Sequence, residues 1–170
     1  LAAARQSAVT AGMPAIEVSA QHGKLLSLLA TISGATRVLE IGTLAGYSTI
    51  NLARGVGAAG RVTTLEYDAR HADIARANFE AAGIADQVEV LVGAALDTLP
   101  QLAERGEQYD FFFIDADKEN NSAYVEWAVR LAVPGAGIVV GNVTRRGRGV
   151  GPACDDLQAR GGGEQAPIPI

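Results

Sequence analysis

The sequence predicts an α/β fold in which a doubly wound, mostly parallel sheet is covered on both faces by helices. Three observations predict it. Short apolar segments alternate with helix-length amphipathic ones from residue 37 onward, glycine turns join several of them, and charge gathers where apolar segments stop. Such alternation implies right-handed crossovers between parallel strands. In open sheets of this kind, ligands bind beyond the carboxyl ends of the strands. "FFFIDADKENN", residues 111–121, carries the third feature: four apolar residues run straight into two carboxylates and a lysine.

Taken in order, residues 2–9 are Ala-rich and predict a helix that ends near Gly12-Met13-Pro14, followed by a short extended piece, "AIEVS". Ser19 is a good N-cap for a helix over "AQHGKLLSLLATI". Within it Leu25, Leu28, Leu29 and Ile32 recur at helical spacing and are expected to face a core, with His22 on the helix surface. After Gly34 the strand, turn, helix pattern begins. "RVLEI" reads as a buried strand, "GTLAGYS" as a glycine turn and "YSTINLARGV" as a helix; "RVTTLEY" is a second strand. "DARHADIARANFEAAG" gives a helix with Asp68 near its start and Gly83 as its stop signal. "VEVLVG" is a third strand, "ALDTLPQLAERG" a short helix and "YDFFFID" a fourth strand. "SAYVEWAVRLAV" is another helix, Pro134-Gly135 a turn and "GIVVGNV" a fifth strand. Residues 1–143 therefore read as one domain, and 144–170 as a Gly/Pro/Arg-rich tail, poorly structured or incomplete.

Composition narrows the function. The 170 residues are 48% hydrophobic and 19% charged, as expected of a globular chain, and the net charge is −5. An acidic balance argues against nucleic-acid or anionic-membrane partners, which are gripped by clustered Lys and Arg. Arg145, Arg146 and Arg148 form such a cluster, but in the tail. Cys154 stands alone, and His22 and His71 are far apart, so neither a disulfide framework nor a zinc site is expected; the cytoplasm is the simplest compartment. No apolar run approaches the roughly 18 residues of a membrane span, and no signal-peptide pattern is seen. An opening Leu1 in place of Met is expected of a trimmed or partly observed chain.

Four places can carry chemistry. Glu40-Ile41-Gly42-Thr43-Leu44-Ala45-Gly46 sits where the first strand turns into its helix, and glycines there let the backbone approach a ligand. A dinucleotide fingerprint wants a second glycine where Leu44 stands, which weakens a nicotinamide reading. Glu66 ends the second strand 24 positions after Gly42, and an acid at about that distance can accept from both hydroxyls of a ribose. "VGAALDTLP" opens the loop after the third strand, where a purine can lie over backbone amides from Gly93 to Ala95. Asp115 and Asn142 end neighbouring strands and supply hard oxygen ligands of the kind Mg²⁺ takes; Lys118 can act as a base if its surroundings favour the neutral amine.

As a set, "IEVSAQHGKLLSLL", "RVLEIGTLAGYST", "VTTLEYD", "VGAALDTLP", "FIDADKENN" and "GNV" resemble the cation-dependent small-molecule O-methyltransferases, the catechol and caffeoyl-CoA type, especially bacterial members, over roughly residues 13–143. The resemblance implies a Rossmann-like sheet with S-adenosylmethionine (SAM) across its switch point. It implies that Val18, Glu40 and the Gly42 to Gly46 turn serve the methionine part, with Ser48 near its carboxylate. Glu66 would hold the ribose, with Gly93 and Ala95 by the adenine. Asp115 would bind both cofactor and a divalent cation, Lys118 would be the general base and Asn142 a further metal ligand. A hydroxylated aromatic acceptor and a homodimer are also implied.

Two departures stand out. The family has Asp-Asn at the end of the fifth strand where this chain has Gly141-Asn142, so one anionic ligand is missing and Mg²⁺ binding should weaken. Asp117, Asp155 and Asp156 are the conceivable substitutes. The C-terminal antiparallel strands of the family are also missing or altered here. Two other readings therefore stay open: a catalytically impaired relative that binds SAM or S-adenosylhomocysteine (SAH) as an interaction module, and a NAD-dependent oxidoreductase.

Overall fold

The computed structural model describes residues 1–13 and 18–141, with the backbone of residues 144, 145, 148 and 149. Five parallel strands, β1 (Arg37–Ile41), β2 (Arg61–Glu66), β3 (Val88–Val92), β4 (Tyr109–Ile114) and β5 (Ala132–Val140), form one sheet in the order β3-β2-β1-β4-β5. The chain leaves β1 toward β2 on one side and returns to β4 on the other, so the switch point lies between β1 and β4, where such sheets open a crevice. At the opposite end Asp110 fastens the entry to β1, its carboxylate accepting from the backbone N–H of Thr36 and Arg37 at 2.8 and 2.9 Å.

Each face of the sheet has its own core. On one, Val38, Val62, Phe111 and Phe113 pack under helices α1 (Ala2–Thr10), α2 (Ala20–Ile32), α3 (Tyr47–Val56) and α4 (Ala69–Ala82). On the other, Leu39, Ile41, Phe112 and Ile114 pack under α5 (Ala95–Glu104) and α6 (Asn121–Leu131). The helix signals act as expected: the Ser19 hydroxyl accepts from His22 N–H, Asp68 caps α4, and Gly83 ends α4 in the left-handed conformation.

Two features differ from the sequence expectation. Leu25, Leu28 and Ile32 do not face the core of α2; they are exposed, Ile32 at 81%, while Gly23, Leu26 and Ala30 are buried. The reason is close helix packing. A Cβ on Gly23 would lie 2.7 Å from Tyr47 and Asn51 of α3, and one on Gly55 would lie 2.6 Å from the Ser27 carbonyl, so α2 and α3 touch closely at these two glycines. Pro134-Gly135, expected as a turn before the last strand, lies inside β5 as an irregularity: the register steps from Tyr109↔Ala132 to Phe111↔Gly137. Thr144–Arg145 and Arg148–Gly149 pair as a short antiparallel ladder, β6 and β7, and the rest of 144–170 lies outside the described residues. Among the described residues no helix is long and apolar enough to cross a membrane.

Candidate active site

The turn between β1 and α3 is shaped by close contacts. Gly42 adopts φ +101°, and a Cβ there would lie 2.3 Å from the carbonyl oxygen of Asp115, the residue after β4. Gly46, with φ +81°, starts α3, and its Cβ would strike the Phe79 ring of α4 at 2.3 Å. Only glycine satisfies both the dihedral and the space at these two positions. Leu44 between them also has positive φ, +52°, a conformation costly for a branched side chain.

Glu66, at the end of β2, secures that conformation. Its Oε2 accepts from the backbone N–H of Thr43 at 3.2 Å and Leu44 at 2.8 Å, while Oε1 accepts from Asp68 N–H at 3.0 Å; His71 Nδ1 stands 3.5 Å from Oε1. A carboxylate has about four lone-pair sites, and three are taken by this chain's own amides. The sequence expectation of two ribose hydroxyls on Glu66 thus meets one free acceptor position in this conformation.

Glu40 lies one layer below. It is fully buried, and its Oε2 accepts from Thr49 Oγ1 at 2.5 Å and Thr64 Oγ1 at 2.7 Å. Thr64 is in turn 2.6 Å from Thr43 Oγ1. Burial pushes the Glu40 carboxyl up to about 7, against the pull of the Ser48, Thr49 and Thr64 hydroxyls and with the Asp115 charge adding to the rise.

A cleft of about 730 Å³ opens above these acids, at the carboxyl ends of the strands. Its far wall is formed by the end of β4. There Lys118 Nζ donates to Asp115 Oδ1 at 2.9 Å and to the Gly141 carbonyl at 3.1 Å. Asp117, two residues on, accepts from Asn120 and from the Tyr124 hydroxyl, each at 2.5 Å. Burial, followed by the bond to Asp117 and its charge, holds the Tyr124 phenol protonated well above its usual range.

The cleft suits a nucleoside-bearing cofactor. The Gly42 to Ala45 stretch of the glycine turn, the Glu66 carboxylate and the Gly93 to Ala95 backbone all line one space. A divalent cation is less well served. Gly141 offers no side chain, Asp115 is engaged by Lys118, both oxygens of Asp117 are in use, and among the described residues no three His, Cys, Asp or Glu are grouped to hold a metal. The described donors do not fit Mg²⁺. Asn142, Asp155 and Asp156 lie outside the described residues.

Of the residues singled out in the sequence, Val18, Gly42, Ser48, Glu66, Gly93, Ala95, Asp115 and Lys118 all line the cleft. Glu40 and Gly46 do not: the first points beneath the turn and the second packs on α4. Tyr67, His71, Leu96, Asn120 and Tyr124 also line it and were not foreseen. Tyr67 and Tyr124 gave a weak signal by following Glu66 and "DADKENN" directly or within one helical turn.

Comparison with known proteins agrees with this architecture. The profile of the O-methyltransferase family matches residues 1–160. A catechol O-methyltransferase of Mycobacterium tuberculosis is 60% identical over 159 residues, covering 94% of this chain and 71% of that protein. A catechol O-methyltransferase of Niastella koreensis is 51% identical, covering 87% of this chain and 67% of its own length. The crystal structure of an O-methyltransferase from Bacillus cereus in complex with SAH superposes with a TM-score of 0.84 at 53% identity, over 86% of this chain and 67% of that one. With the family profile matched over residues 1–160 and relatives at half or more identity, the chain belongs to the O-methyltransferase family.

Proposed function

We propose that this chain methylates a hydroxyl of a catechol-like or other hydroxylated aromatic small molecule. The observation that carries the proposal is the meeting of two halves in one cleft: the Gly42 turn with Glu66 at one end, and Asp115 with Lys118 at the other. Two relatives at 60% and 51% identity that bear the name catechol O-methyltransferase support the acceptor class. SAM is the cofactor, and it supplies a methyl group on a sulfonium that passes to oxygen and leaves a neutral thioether.

In this reading Glu66 offers its free lone pair to the ribose, while Val18, Ser48 and Asp115 face the methionine part and Gly93 and Ala95 the adenine. Lys118 receives the proton that the attacking hydroxyl gives up. To do so Nζ must first shed a proton of its own; the neutral amine keeps two N–H groups for its two present contacts and turns its lone pair to the hydroxyl. Holding the hydroxyl in line with the methyl group supplies the remaining advantage through proximity.

The test is incubation with methyl-labelled SAM and catechol, with SAH titrated by calorimetry in parallel. Labelled methyl ether together with saturable one-site SAH binding is expected. A folded sample that binds SAH and methylates no hydroxylated aromatic would leave only a binding module. We also read the chain as a homodimer, which light scattering of the purified chain tests; exposed Leu25, Leu28 and Ile32 supply apolar surface for it.

A further inference from the structure

Glu40 is a fully buried acid that does not reach the cleft, yet it ends a hydrogen-bond chain that begins in the cofactor turn. Thr64 has one hydroxyl hydrogen and gives it to Glu40 Oε2 at 2.7 Å, so at 2.6 Å from Thr43 it must be the acceptor. The direction is therefore fixed: Thr43 donates to Thr64, and Thr64 donates to Glu40. Thr43 also gives its backbone N–H to Glu66. One turn residue is thus gripped from two sides, through its side chain by Glu40 and through its backbone by Glu66.

This chain needs an acceptor at its end. The Thr49 and Thr64 hydroxyls both donate to Oε2, so that oxygen carries no proton, and Oε1, which makes no hydrogen bond, is where the carboxyl gains or loses its own. Ionisation strengthens the Oε2 acceptor, because a hydrogen bond to a carboxylate is stronger than one to a neutral carboxyl. We propose that Glu40 is a positioning residue for the cofactor: through Thr64 and Thr43, its ionised side chain holds the Gly42 to Gly46 turn in the shape that binds SAM. The proposal rests on the reading of the cleft as a SAM site.

The surroundings make that charge conditional. Around Glu40, β2 contributes Thr64, α3 contributes Ser48 and Thr49, and β4 contributes Phe113 as strand neighbour; the charged group that acts on it is Asp115, whose like charge opposes ionisation. Burial opposes it more strongly and pushes the carboxyl up to about 7. A sulfonium entering the cleft favours the carboxylate, and the neutral thioether of SAH does so less. Binding of SAM near pH 7 then drives a proton off Glu40, by linkage.

Calorimetry tests this with SAM and SAH at pH 6 and pH 8, in two buffers of different ionisation enthalpy, on the wild type, Glu40→Gln and Thr64→Val. Wild-type affinity for SAM should fall severalfold from pH 8 to pH 6, with proton release on binding, and the trend for SAH should be weaker. Glu40→Gln should bind about tenfold more weakly at pH 8, the loss expected when a charge-assisted acceptor becomes a neutral one, and its pH dependence should flatten. His71, 3.5 Å from Glu66, is present in all three proteins, so its own contribution cancels. Wild-type affinity and pH profile in Glu40→Gln would overturn the proposal. If Glu40→Gln fails to fold, Thr64→Val decides: it keeps the volume and cuts the chain, so weaker SAM binding supports the proposal and unchanged binding overturns it. A wild type that binds neither ligand would instead remove the cofactor reading beneath it.

Discussion

The two ends of the cleft are built on different plans. At the β1–β2 end Glu40, Thr43, Thr64 and Glu66 are all less than a tenth exposed, and each is tied to another by hydrogen bonds of 2.6 to 3.2 Å. At the β4–β5 end the Asp115 side chain is 14% exposed and that of Lys118 35%, joined by one ion pair, and Gly141 adds only a carbonyl. The first end is shaped before a ligand arrives, which spares the cost of ordering it on binding. The second keeps its charges near solvent, where they can rearrange around an acceptor.

The sharpest way to break this contrast is Lys118→Met. If Lys118 carries the proton transfer and nothing of cofactor binding, methyl transfer should fall by roughly 10²- to 10⁴-fold, the usual worth of a general base. SAH affinity by calorimetry should stay as in the wild type. The melting temperature should hardly move, because a partly exposed ion pair is worth about 1 kcal/mol or less. A matching fall in SAH affinity would show that the lysine serves both ends.

At the cofactor end the largest effect is expected from Gly42→Ala. A methyl group there would lie 2.3 Å from a backbone oxygen of Asp115, which cannot swing aside as a side-chain tip can, and φ +101° is strained for any L-residue. Overpacking and dihedral strain together predict a loss of roughly 4 kcal/mol, read as a lower urea midpoint, with SAH binding lost in the folded fraction.

Glu40 predicts a smaller, pH-dependent effect. Its folded value of about 7 lies above the ordinary 4.5, so between those values the folded chain binds more protons than the unfolded one. Stability must then fall as pH rises through that window, by about 3 kcal/mol from this group alone. Glu40→Gln should lose that slope, seen as a smaller difference between urea midpoints at pH 4.5 and pH 8. A residue with only a packing role would leave the slope unchanged.

The contrast between the two ends also explains what could be read from the sequence. Strands, caps and the order of turns were visible because each has a local cause: Ser19 and Asp68 cap helices, Gly83 ends one, and apolar strands alternate with helices. The cleft residues followed, since strand ends are fixed once strands are. Packing that depends on distant partners was hidden. α2 presents small residues to α3, so counting large apolar residues selected its exposed side. Glu40 sits in a strand buried on both faces, where no polar alternation reveals which way a side chain points. The hydroxyls that donate to it, of Thr49 and Thr64, lie 9 and 24 positions away.

Gly141→Asp is expected to have the smallest effect on stability, and it tests whether the two ends are independent. A Cβ at this position would lie 2.9 Å from Asp115 Cγ and 3.0 Å from its Oδ1, so the Asp115 side chain must turn and its contact with Lys118 weakens. Two carboxylates then face each other, and without metal the variant should lose about 1 kcal/mol. The same pair is a better hard-cation site, so Mg²⁺ should bind the variant more tightly by calorimetry and restore its melting temperature. Equal Mg²⁺ affinity in the wild type would mean that donors beyond residue 141 already complete a site. SAH affinity should fall only slightly, by the contact of the turned Asp115 side chain with the methionine part, because the grips on the cofactor turn run through Glu40 and Glu66 and neither is bonded to Gly141. A large fall in SAH affinity would show that strain at Asp115 reaches Gly42 through the backbone contact they share, and the cleft would then behave as one unit rather than two.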